Sequence, residues 1–363
     1  MLEMNKNNYV AIMAGGIGSR FWPVSRMDYP KQFLDLLNHG KTLIQSTYDR
    51  FAQYIPNENI YVVTSSQYKE IVAEQLPLLK PENILCEPSR KNTAPCVAYI
   101  SYKLHELNPK SNLICAPADH LISDDISFIK VSLEALEFTE KNNALITLGI
   151  KPLYPNTGYG YIQHEEVAVQ DNIYKVKTFT EKPDIELAKK FIISGDFLWN
   201  AGIFVWRTES IIKAFEKYLP EIHEVFDGAK KSLITSGEKA AIELIYPLCV
   251  NISIDYGILE KANNVYVIPS AFGWSDLGTW GSAFENLEKD YFENAVAGEN
   301  VILFDSTKNM VHSHDNKLIL LQGLEDFIVV DTEDALLICK KDKEQHIKEY
   351  LSEVKRNKGD KYL

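Results

Sequence analysis

The sequence lacks the features of several large classes of protein. No run of its 363 residues reaches the roughly eighteen consecutive apolar residues of a membrane-spanning helix, and the polar segment 1–8 leads straight into a predicted strand, so neither a membrane span nor a signal peptide is expected. Five widely spaced cysteines without a Cys-x-x-Cys pair disfavour a disulfide framework and a zinc site, which makes a reducing cytoplasm the expected compartment. Basic residues are outnumbered, since 38 Lys and Arg against 50 Asp and Glu give a net charge of −12. This balance argues against a nucleic-acid-binding surface.

What remains is the composition of an ordinary globular protein. Hydrophobic residues make up 45% of the chain and charged residues 24%. The length is comfortable for one large α/β domain plus a smaller one. We predict a catalytic domain over 1–290 and a small β-rich domain, ending in a helix, over 291–363.

Residues 9–148 alternate between short apolar runs, typical of buried strands, and segments with helical spacing of apolar residues. The predicted strands are Tyr9–Ala14, Ile60–Thr64, Asn83–Cys86, Asn112–Ala116 and Ala144–Leu148, and the predicted helices are Thr42–Tyr54, Gln67–Leu76, Ala94–Leu107 and Phe128–Glu140. This alternation predicts an α/β fold with a doubly wound, mixed but mostly parallel, Rossmann-like sheet. Ligands of such sheets bind beyond the carboxyl ends of the strands, so the polar segments there are candidate sites.

The pattern is mixed after residue 148 and becomes β-rich near the end of the chain. We predict strands Tyr159–His164, Ile173–Phe179 and Gly202–Trp206, helices Ile185–Ser194 and Ser253–Lys261, and a mainly helical segment over 209–247. In 294–340 the predicted strands are Val301–Phe304, Met310–His312, Lys317–Gln322, Phe327–Asp331 and Ala335–Cys339. Short, regularly spaced strands predict a small β-helix-like C-terminal module, closed by a helix over Asp342–Arg356.

A glycine-rich loop follows the first predicted strand, with the sequence Gly15-Gly16-Ile17-Gly18-Ser19-Arg20. Glycines let the backbone turn sharply and approach a ligand closely, so that several N–H groups face one anion. Arg26 and Lys31 follow within a dozen residues. The glycines alone fit a structural turn equally well, but the added basic residues favour a phosphate site of triphosphate size.

Two common phosphate-binding motifs do not fit this region. A dinucleotide-binding GxGxxG pattern would begin at Gly16, but its last position is Phe21. A P-loop would end at Gly40-Lys41-Thr42, but Asp35 stands where its first glycine is required. A dehydrogenase is therefore excluded, and the loop belongs to a different class of nucleotide site.

The longer segment Gly15–Phe33 resembles the signature of mannose-1-phosphate guanylyltransferases, a branch of the sugar nucleotidyltransferases, which share GGxGxR followed by a Pro-Lys pair. Trp22-Pro23 and Lys31-Gln32-Phe33 are closer to the mannose branch than to the glucose or thymidylyl branches. The resemblance spans roughly 9–285 and implies a GT-A-like fold. It implies transfer of GMP from GTP to α-D-mannose 1-phosphate, which gives GDP-mannose and pyrophosphate. The nucleotide residues that it implies in this loop are Ala14, Gly15, Gly16, Gly18, Ser19, Arg20 and Lys31.

The segment Glu87–Pro95 resembles the family's nucleotide-recognition stretch, which adds Glu87, Asn92 and Thr93 to the nucleotide site. Our hypothesis is that the Glu87 carboxylate accepts the N1–H and N2 amino protons of guanine through charge-assisted hydrogen bonds. The alternative for Asn92 or Thr93 is capping of the helix that follows.

Two aspartates far apart in the sequence match the family's metal-binding positions. Asp119 lies in Ala116–His120, after a predicted strand, and Asp276 lies in Phe272–Trp280. Mg²⁺ prefers a few carboxylate oxygens alongside phosphates and water, so the resemblance implies Mg²⁺ as cofactor, held by both aspartates and the nucleotide. A turn or helix cap is the alternative for Asp119.

Three further segments resemble the sugar side of the family's site. The sugar-phosphate residues that they imply are Gly158, Tyr159, Glu181, Lys182, Asn200 and Gly202. In the family the Glu of the Glu-Lys pair bonds sugar hydroxyls and the Lys holds the sugar phosphate.

The resemblance implies that Arg20, Lys31, Asp119, Lys182 and Asp276 carry the reaction. Another sugar 1-phosphate, such as that of a heptose or fucose, is the nearest alternative substrate. A catalytically silent regulatory homologue is disfavoured because all five charged residues are present. We expect no fused isomerase domain, because few residues follow Trp280, and we expect a homodimer.

Overall fold

The computed structural model describes residues 4–313 and 317–363. Within them the strands are β1 (Asn8–Ala14), β2 (Ile60–Ser65), β3 (Ile84–Glu87), β4 (Asn112–Pro117), β5 (Leu121–Ile122), β6 (Leu145–Ile150), β7 (Gly160–Gln170), β8 (Ile173–Glu181), β9 (Phe197–Arg207), β10 (Val265–Ser270), β11 (Trp274–Ser275), β12 (Ala295–Ala297), β13 (Val301–Phe304), β14 (Met310–Ser313), β15 (Ile319–Gln322), β16 (Phe327–Asp331) and β17 (Leu336–Lys340). The α-helices are α1 (Leu43–Ala52), α2 (Lys69–Gln75), α3 (Thr93–Leu107), α4 (Asp125–Lys141), α5 (Ile185–Ser194), α6 (Thr208–Tyr218), α7 (Pro220–Ala229), α8 (Glu238–Ile245), α9 (Trp280–Asn286) and α10 (Ile347–Lys358). Among these described residues, no helix has the length and apolar character needed to cross a membrane.

The chain forms two compact units, each assembled from separate stretches of sequence. The sheet unit contains the residues up to Gly15, Thr47–Ala118 and Ile122–Trp274. The β-module unit contains Gly16–Ser46, Asp119–Leu121 and the residues from Ser275 onward. The division into domains 1–290 and 291–363 stays a prediction.

The sheet unit is built on a nine-stranded sheet with the order β3-β2-β1-β4-β9-β6-β10-β8-β7. Strands β3, β2, β1 and β4 pair in parallel, and so do β6 and β10. Strand β9 lies antiparallel between β4 and β6, and β8 and β7 extend the sheet in antiparallel fashion. The predicted mixed, doubly wound α/β fold is confirmed, and parallel pairing is confined to those two groups of strands.

Burial explains why the central segments form strands and helices. Val10, Ala11 and Ile12 of β1 are fully buried, as expected for a parallel strand with both faces covered. Helix α3 is buried from Ala94 to Leu104 and packs against α6. The apolar runs that predicted these elements are therefore the core of the sheet unit.

Most predicted elements are confirmed to within a few residues, but several differ. Strand β7 continues to Gln170, six residues beyond the predicted end at His164, and β5, β11 and α9 were not predicted. Strand β9 begins at Phe197 rather than Gly202, because the whole segment to Arg207 pairs inside the sheet. The helix predicted over Ser253–Lys261 is shortened to a wide π-type turn at Asp255–Leu259. Strand β12, Ala295–Ala297, was not predicted, since three residues are too few for a period to be recognised.

The β-module unit carries the short strands of the C-terminal region. Strands β12, β14 and β16 pair in parallel, β17 joins β16 in antiparallel fashion, and β13 pairs in parallel with β15. Stacked parallel pairs of short strands confirm the predicted β-helix-like module, in which residues 314–316 lie outside the described residues. The closing helix is confirmed as a 3₁₀ turn, Lys341–His346, followed by α10.

Candidate active site

The glycine-rich loop is held by contacts within the β-module unit. Gly18 has a left-handed backbone (φ +65°), and a side chain there would collide with Cβ of Lys31, so only glycine suits this position. The hydroxyl of Ser25 donates to the carbonyl of Ile17 at 2.8 Å, and the amide of Gln32 donates to the carbonyl of Gly16 at 3.0 Å. The loop is thus fixed against the segment that carries Lys31.

Lys31 is the centre of a buried charged cluster in the same unit. Its ammonium group donates to Oδ2 of Asp119 at 2.9 Å and to the carbonyl oxygens of Asp276 and Leu277 at 2.8 Å each. A lysine ammonium carries three protons, so these acceptors engage all of them. The structure therefore brings together Lys31, Asp119 and Asp276, and a direct contact of Lys31 with a triphosphate stays a prediction.

The charges of this cluster favour the ionised form of Asp119. Burial alone would raise the pKa of Asp119, but the Lys31 ammonium and His120 outweigh it and hold that pKa below its usual value. The carboxylate of Asp276 accepts a hydrogen bond from the Gly278 N–H at 3.0 Å. The surroundings of both carboxylates therefore suit residues that bind a cation.

Arg20 lies in the 3₁₀ turn Ser19–Phe21 that ends the loop. Its Nε is buried and has no hydrogen-bond partner within the described residues. A buried donor without an acceptor is costly, so this guanidinium is suited to an anion supplied from outside the chain.

In the sheet unit, the end of β1 lies beside Glu87. The carbonyl of Ala14 accepts a hydrogen bond from the Thr64 hydroxyl at 2.8 Å. A side chain on Gly15 would stand 3.3 Å from Oε2 of Glu87, so glycine allows this close approach. The Tyr246 hydroxyl donates to Oε1 of Glu87, which is 9% exposed.

The protonation of Glu87 is set by its burial. Burial raises the pKa of this carboxyl to about 7, although the Tyr246 hydroxyl and Arg90 act in the opposite direction. At neutral pH the ionised and neutral forms are therefore present in comparable amounts. A ligand that donates two N–H groups would select the ionised form.

Asn92 and Thr93 take structural roles in the sheet unit. Asn92 is the N-cap of α3, with its side chain accepting from the Thr93 N–H at 2.9 Å. The Thr93 hydroxyl accepts from the Ile254 N–H at 2.9 Å. The capping alternative is confirmed for Asn92, and nucleotide contacts by these two residues stay predictions.

A second polar cluster of the sheet unit contains the predicted Glu-Lys pair. Lys182 Nζ donates to Oε1 of Glu181 at 2.6 Å, and the Lys182 N–H donates to the carbonyl of Tyr159 at 3.2 Å. The second oxygen, Oε2 of Glu181, is buried without a hydrogen-bond partner within the described residues. A side chain on Gly160 would collide with this oxygen, so glycine keeps the space beside it open.

Asn200 joins this cluster through a network of side chains. Its Nδ2 donates to Oδ1 of Asp255 at 2.9 Å, and its own Oδ1 accepts from the Thr147 hydroxyl at 2.8 Å and the Gly202 N–H at 3.1 Å. Burial, with the nearby charge of Glu181, raises the pKa of Asp255 to about 6. Asn200 is therefore held in one orientation.

The loop before β7 is held by one hydrogen bond within the loop and by ring contacts with two tryptophans. The Gly158 N–H donates to Oδ1 of Asn156 at 2.7 Å. The Tyr159 ring packs edge-on against Trp199 and Trp274, with centroids 5.0 and 5.2 Å apart. Contacts of Gly158, Tyr159 and Gly202 with a sugar stay predictions.

Two residues of these clusters were not among the predicted site residues. Tyr246 faces Glu87 from the end of the helical region, and Asp255 faces Asn200 from the π-type turn. Asp255 lies inside the predicted helix Ser253–Lys261, but a single carboxylate in a helical pattern is usually a solvated residue. Tyr246 gave no signal, because buried tyrosines are common in cores.

Comparison with known proteins decides the family. Residues 9–291 match the family model described as nucleotidyl transferase. The chain belongs to the nucleotidyl transferase family. Residues 299–354 match the mannoseP isomerase/GMP-like beta-helix domain, in agreement with the parallel strands of the C-terminal module.

Individual relatives of this nucleotidyltransferase carry related names. The alginate biosynthesis protein AlgA of Pseudomonas putida is 36% identical over 342 residues, which cover 93% of this chain and 70% of that protein. A mannose-1-phosphate guanylyltransferase of Escherichia coli is 34% identical over 345 residues, which cover 93% of this chain and 73% of that protein. The crystal structure described as a mannose-1-phosphate geranyltransferase from Thermus thermophilus is similar with a TM-score of 0.86 and 29% identity, covering 96% of this chain and 99% of that one.

Proposed function

We propose that this nucleotidyltransferase transfers GMP from GTP to α-D-mannose 1-phosphate and releases pyrophosphate. Relatives at about 35% identity that are named mannose-1-phosphate guanylyltransferase support the nucleotide and the sugar. The observation that carries the proposal is the buried Oε2 of Glu181, which has no partner within the described residues although Lys182 occupies the other oxygen. A sugar hydroxyl is the donor that suits this acceptor, and the exposed Lys182 suits the phosphate of the same ligand.

The reaction needs little acid–base chemistry. A sugar-phosphate oxygen is ionised near neutral pH and attacks the α-phosphorus of GTP, while the bond to the bridging oxygen of the leaving pyrophosphate breaks. The chain must therefore bind two polyanions and stabilise the charge that develops on the leaving group. We assign the triphosphate to the glycine-rich loop and Arg20, and the sugar phosphate to Lys182.

We propose Mg²⁺ as the cofactor, with Asp119 and Asp276 as its ligands. Both residues contact the same Lys31 ammonium, Asp119 through its carboxylate and Asp276 through its carbonyl. Within residues 4–313 and 317–363, no group of three or more His, Cys, Asp and Glu side chains forms a metal cage. This donor set suits Mg²⁺, which takes one or two carboxylates and fills its other positions with phosphate oxygens and water. When bound, Mg²⁺ supplies positive charge against the phosphates.

A pyrophosphate-release screen tests the proposal. The protein is mixed with each of GTP, ATP, CTP and UTP and with the 1-phosphates of mannose, glucose, fucose and a heptose, with and without Mg²⁺. We expect release with GTP and mannose 1-phosphate in Mg²⁺ only. A preference for fucose or heptose 1-phosphate would mean that this sugar phosphate, and not mannose 1-phosphate, is the substrate. Absence of pyrophosphate release with every pair of nucleotide and sugar phosphate would favour a catalytically silent homologue.

We further propose a cytoplasmic homodimer. The five cysteines are all free thiols, which suits a reducing compartment. Light scattering behind a sizing column measures the assembly, and a monomeric mass would refute the dimer. Fractionation of the source cells tests the compartment.

A further inference from the structure

The side chain of Asn200 is held by three hydrogen bonds of different direction. Its Oδ1 accepts from the Thr147 hydroxyl at 2.8 Å and from the Gly202 N–H at 3.1 Å, and its Nδ2 donates to Oδ1 of Asp255 at 2.9 Å. A side-chain amide offers two acceptor sites and two N–H donors. The oxygen of Asn200 is therefore fully used, whereas one of its N–H groups has no acceptor within the described residues.

An irregularity in β9 creates this arrangement. Thr147 of β6 pairs with Phe204 while Gly149 pairs with Asn200, so β9 carries extra residues between these two pairs. Gly202 lies in this bulge with a left-handed backbone (φ +68°), and its N–H reaches the side chain of Asn200 two residues earlier. The orientation of the amide is thus built into the strand.

The carboxylate of Asp255 restricts the amide of Asn200 further. Burial, with the charge of Glu181, raises the pKa of Asp255 to about 6, so this carboxylate is mainly ionised at pH 8 and can only accept. If the amide turned over, its oxygen would face that carboxylate and its N–H groups would face the Gly202 N–H. Both contacts would be repulsive, so an N–H of Asn200, and not its oxygen, is left for a ligand.

A carboxylate oxygen lies beside this amide. Oε2 of Glu181 is buried and lacks a hydrogen-bond partner within the described part of the chain, although Lys182 bonds the other oxygen. A side chain on Gly160 would collide with Oε2 of Glu181 and would stand 3.3 Å from Cβ of Asn200. An amide with a remaining donor and a carboxylate with a remaining acceptor therefore border the space that this glycine leaves open.

We propose that Asp255 is a positioning residue through which the sugar site selects one hydroxyl group. It holds Asn200 so that the amide donates to the hydroxyl oxygen, while the hydroxyl proton is donated to Oε2 of Glu181. A hydroxyl both accepts and donates, whereas a ring oxygen only accepts and a deoxy carbon does neither, so only a hydroxyl satisfies both groups. This inference rests on the proposed function, because it takes the cluster around Glu181 as the sugar site.

Deoxy derivatives of mannose 1-phosphate test this selection in steady-state kinetics at pH 8 and saturating GTP. Wild type is compared on mannose 1-phosphate and on its 2-, 3-, 4- and 6-deoxy derivatives. We expect one derivative to lose about a hundredfold in kcat/KM, because it leaves a buried carboxylate oxygen and an amide N–H unpaired together. The other derivatives should lose much less.

Asp255→Ala removes the acceptor that positions Asn200. Its KM for mannose 1-phosphate should increase about tenfold with the KM for GTP unchanged, and its penalty for the one rejected derivative should shrink about tenfold while the other penalties stay as in wild type. Asp255→Asn keeps an oxygen that can accept from Asn200, so it should recover most of the efficiency. Thr147→Val should show the pattern of Asp255→Ala, and Asp171→Asn, in the exposed turn between β7 and β8, should behave as wild type.

An unchanged penalty for the rejected derivative in Asp255→Ala, or a loss spread equally over all derivatives, would overturn the inference, because a merely structural residue weakens every sugar phosphate alike. If the substrate screen selects another sugar phosphate, the deoxy series of that sugar is used. If the screen finds no turnover, the proposed function fails, and calorimetric binding of mannose 1-phosphate and its derivatives decides the role of Asp255. Absence of binding by every sugar phosphate would refute both.

Discussion

The dependence of GTP binding on the ionisation of Glu87 is the sharpest prediction of the structure. Guanine offers two N–H donors, which only the ionised carboxylate can accept together. Burial raises the pKa of Glu87 to about 7, so we expect the binding-competent form to decrease from about nine-tenths at pH 8 to about one-tenth at pH 6. Apparent affinity scales with the competent fraction, so GTP binding should weaken about tenfold, or about 1.4 kcal/mol, over that range.

The assay is a GTP titration at pH 6, 7 and 8 and constant ionic strength, for wild type and Glu87→Gln. The γ-phosphate of GTP also titrates in this range, but its effect cancels in the ratio of the two Kd values. Glu87→Gln should bind GTP weakly at pH 8 and should discriminate poorly between GTP and ITP. An unchanged ratio between pH 8 and pH 6, or equal GTP-to-ITP discrimination in both proteins, would refute the role of Glu87.

Tyr246 provides an independent check on the same carboxylate. Its hydroxyl donates to Glu87 and favours the ionised form. Tyr246→Phe removes that donor, so the pKa of Glu87 should increase and the midpoint of GTP binding should move to higher pH. A midpoint that moves to lower pH would contradict this electrostatic account.

Three further substitutions test other parts of the molecule. Asp276→Asn should bind GTP moderately but lose about a hundredfold or more in single-turnover pyrophosphate release, because the substitution removes the charge of a proposed Mg²⁺ ligand. Lys182→Ala should raise the KM for the sugar phosphate about tenfold or more and leave GTP affinity unchanged, since one charge-assisted contact disappears. Lys103→Met should lower the free energy of unfolding by about 3 kcal/mol in urea denaturation, because Nζ of Lys103 bonds both carboxylate oxygens of Glu238 at 2.6 and 2.5 Å and its side chain is only 8% exposed.

Each of these predictions has its own control and its own contrary result. Near-wild-type turnover at saturating Mg²⁺ would remove Asp276 from the metal site. Lys189→Ala, an exposed lysine of α5, should leave both KM values unchanged, and a Lys182→Ala protein that lost only GTP affinity would contradict the sugar-phosphate assignment. The double variant Lys103→Met, Glu238→Gln should recover part of the lost stability, and no recovery would mean that packing rather than the ion pair was removed.

The sequence by itself determined the local elements and the class of site. Apolar runs of strand length and helical spacing predicted the elements around β1 and α3, because buried faces impose their period on the sequence. The ordered motifs of the glycine-rich loop, the two aspartates and the Glu-Lys pair indicated a sugar nucleotidyltransferase. Each of these patterns lies within a short stretch of sequence, so it can be recognised without knowing how distant segments pair.

Only the tertiary structure decided which distant residues meet. The antiparallel insertion of β9 between β4 and β6, and the contacts of Tyr246 with Glu87 and Asp255 with Asn200, join segments that no local period relates. Lys31 was predicted as a triphosphate ligand, yet the fold buries its ammonium among Asp119, Asp276 and Leu277. Burial and long-range hydrogen bonds determine whether a side chain is charged and which of its hydrogen-bond donors are left for a ligand. Burial and these hydrogen bonds arise only when separated parts of the chain pack together.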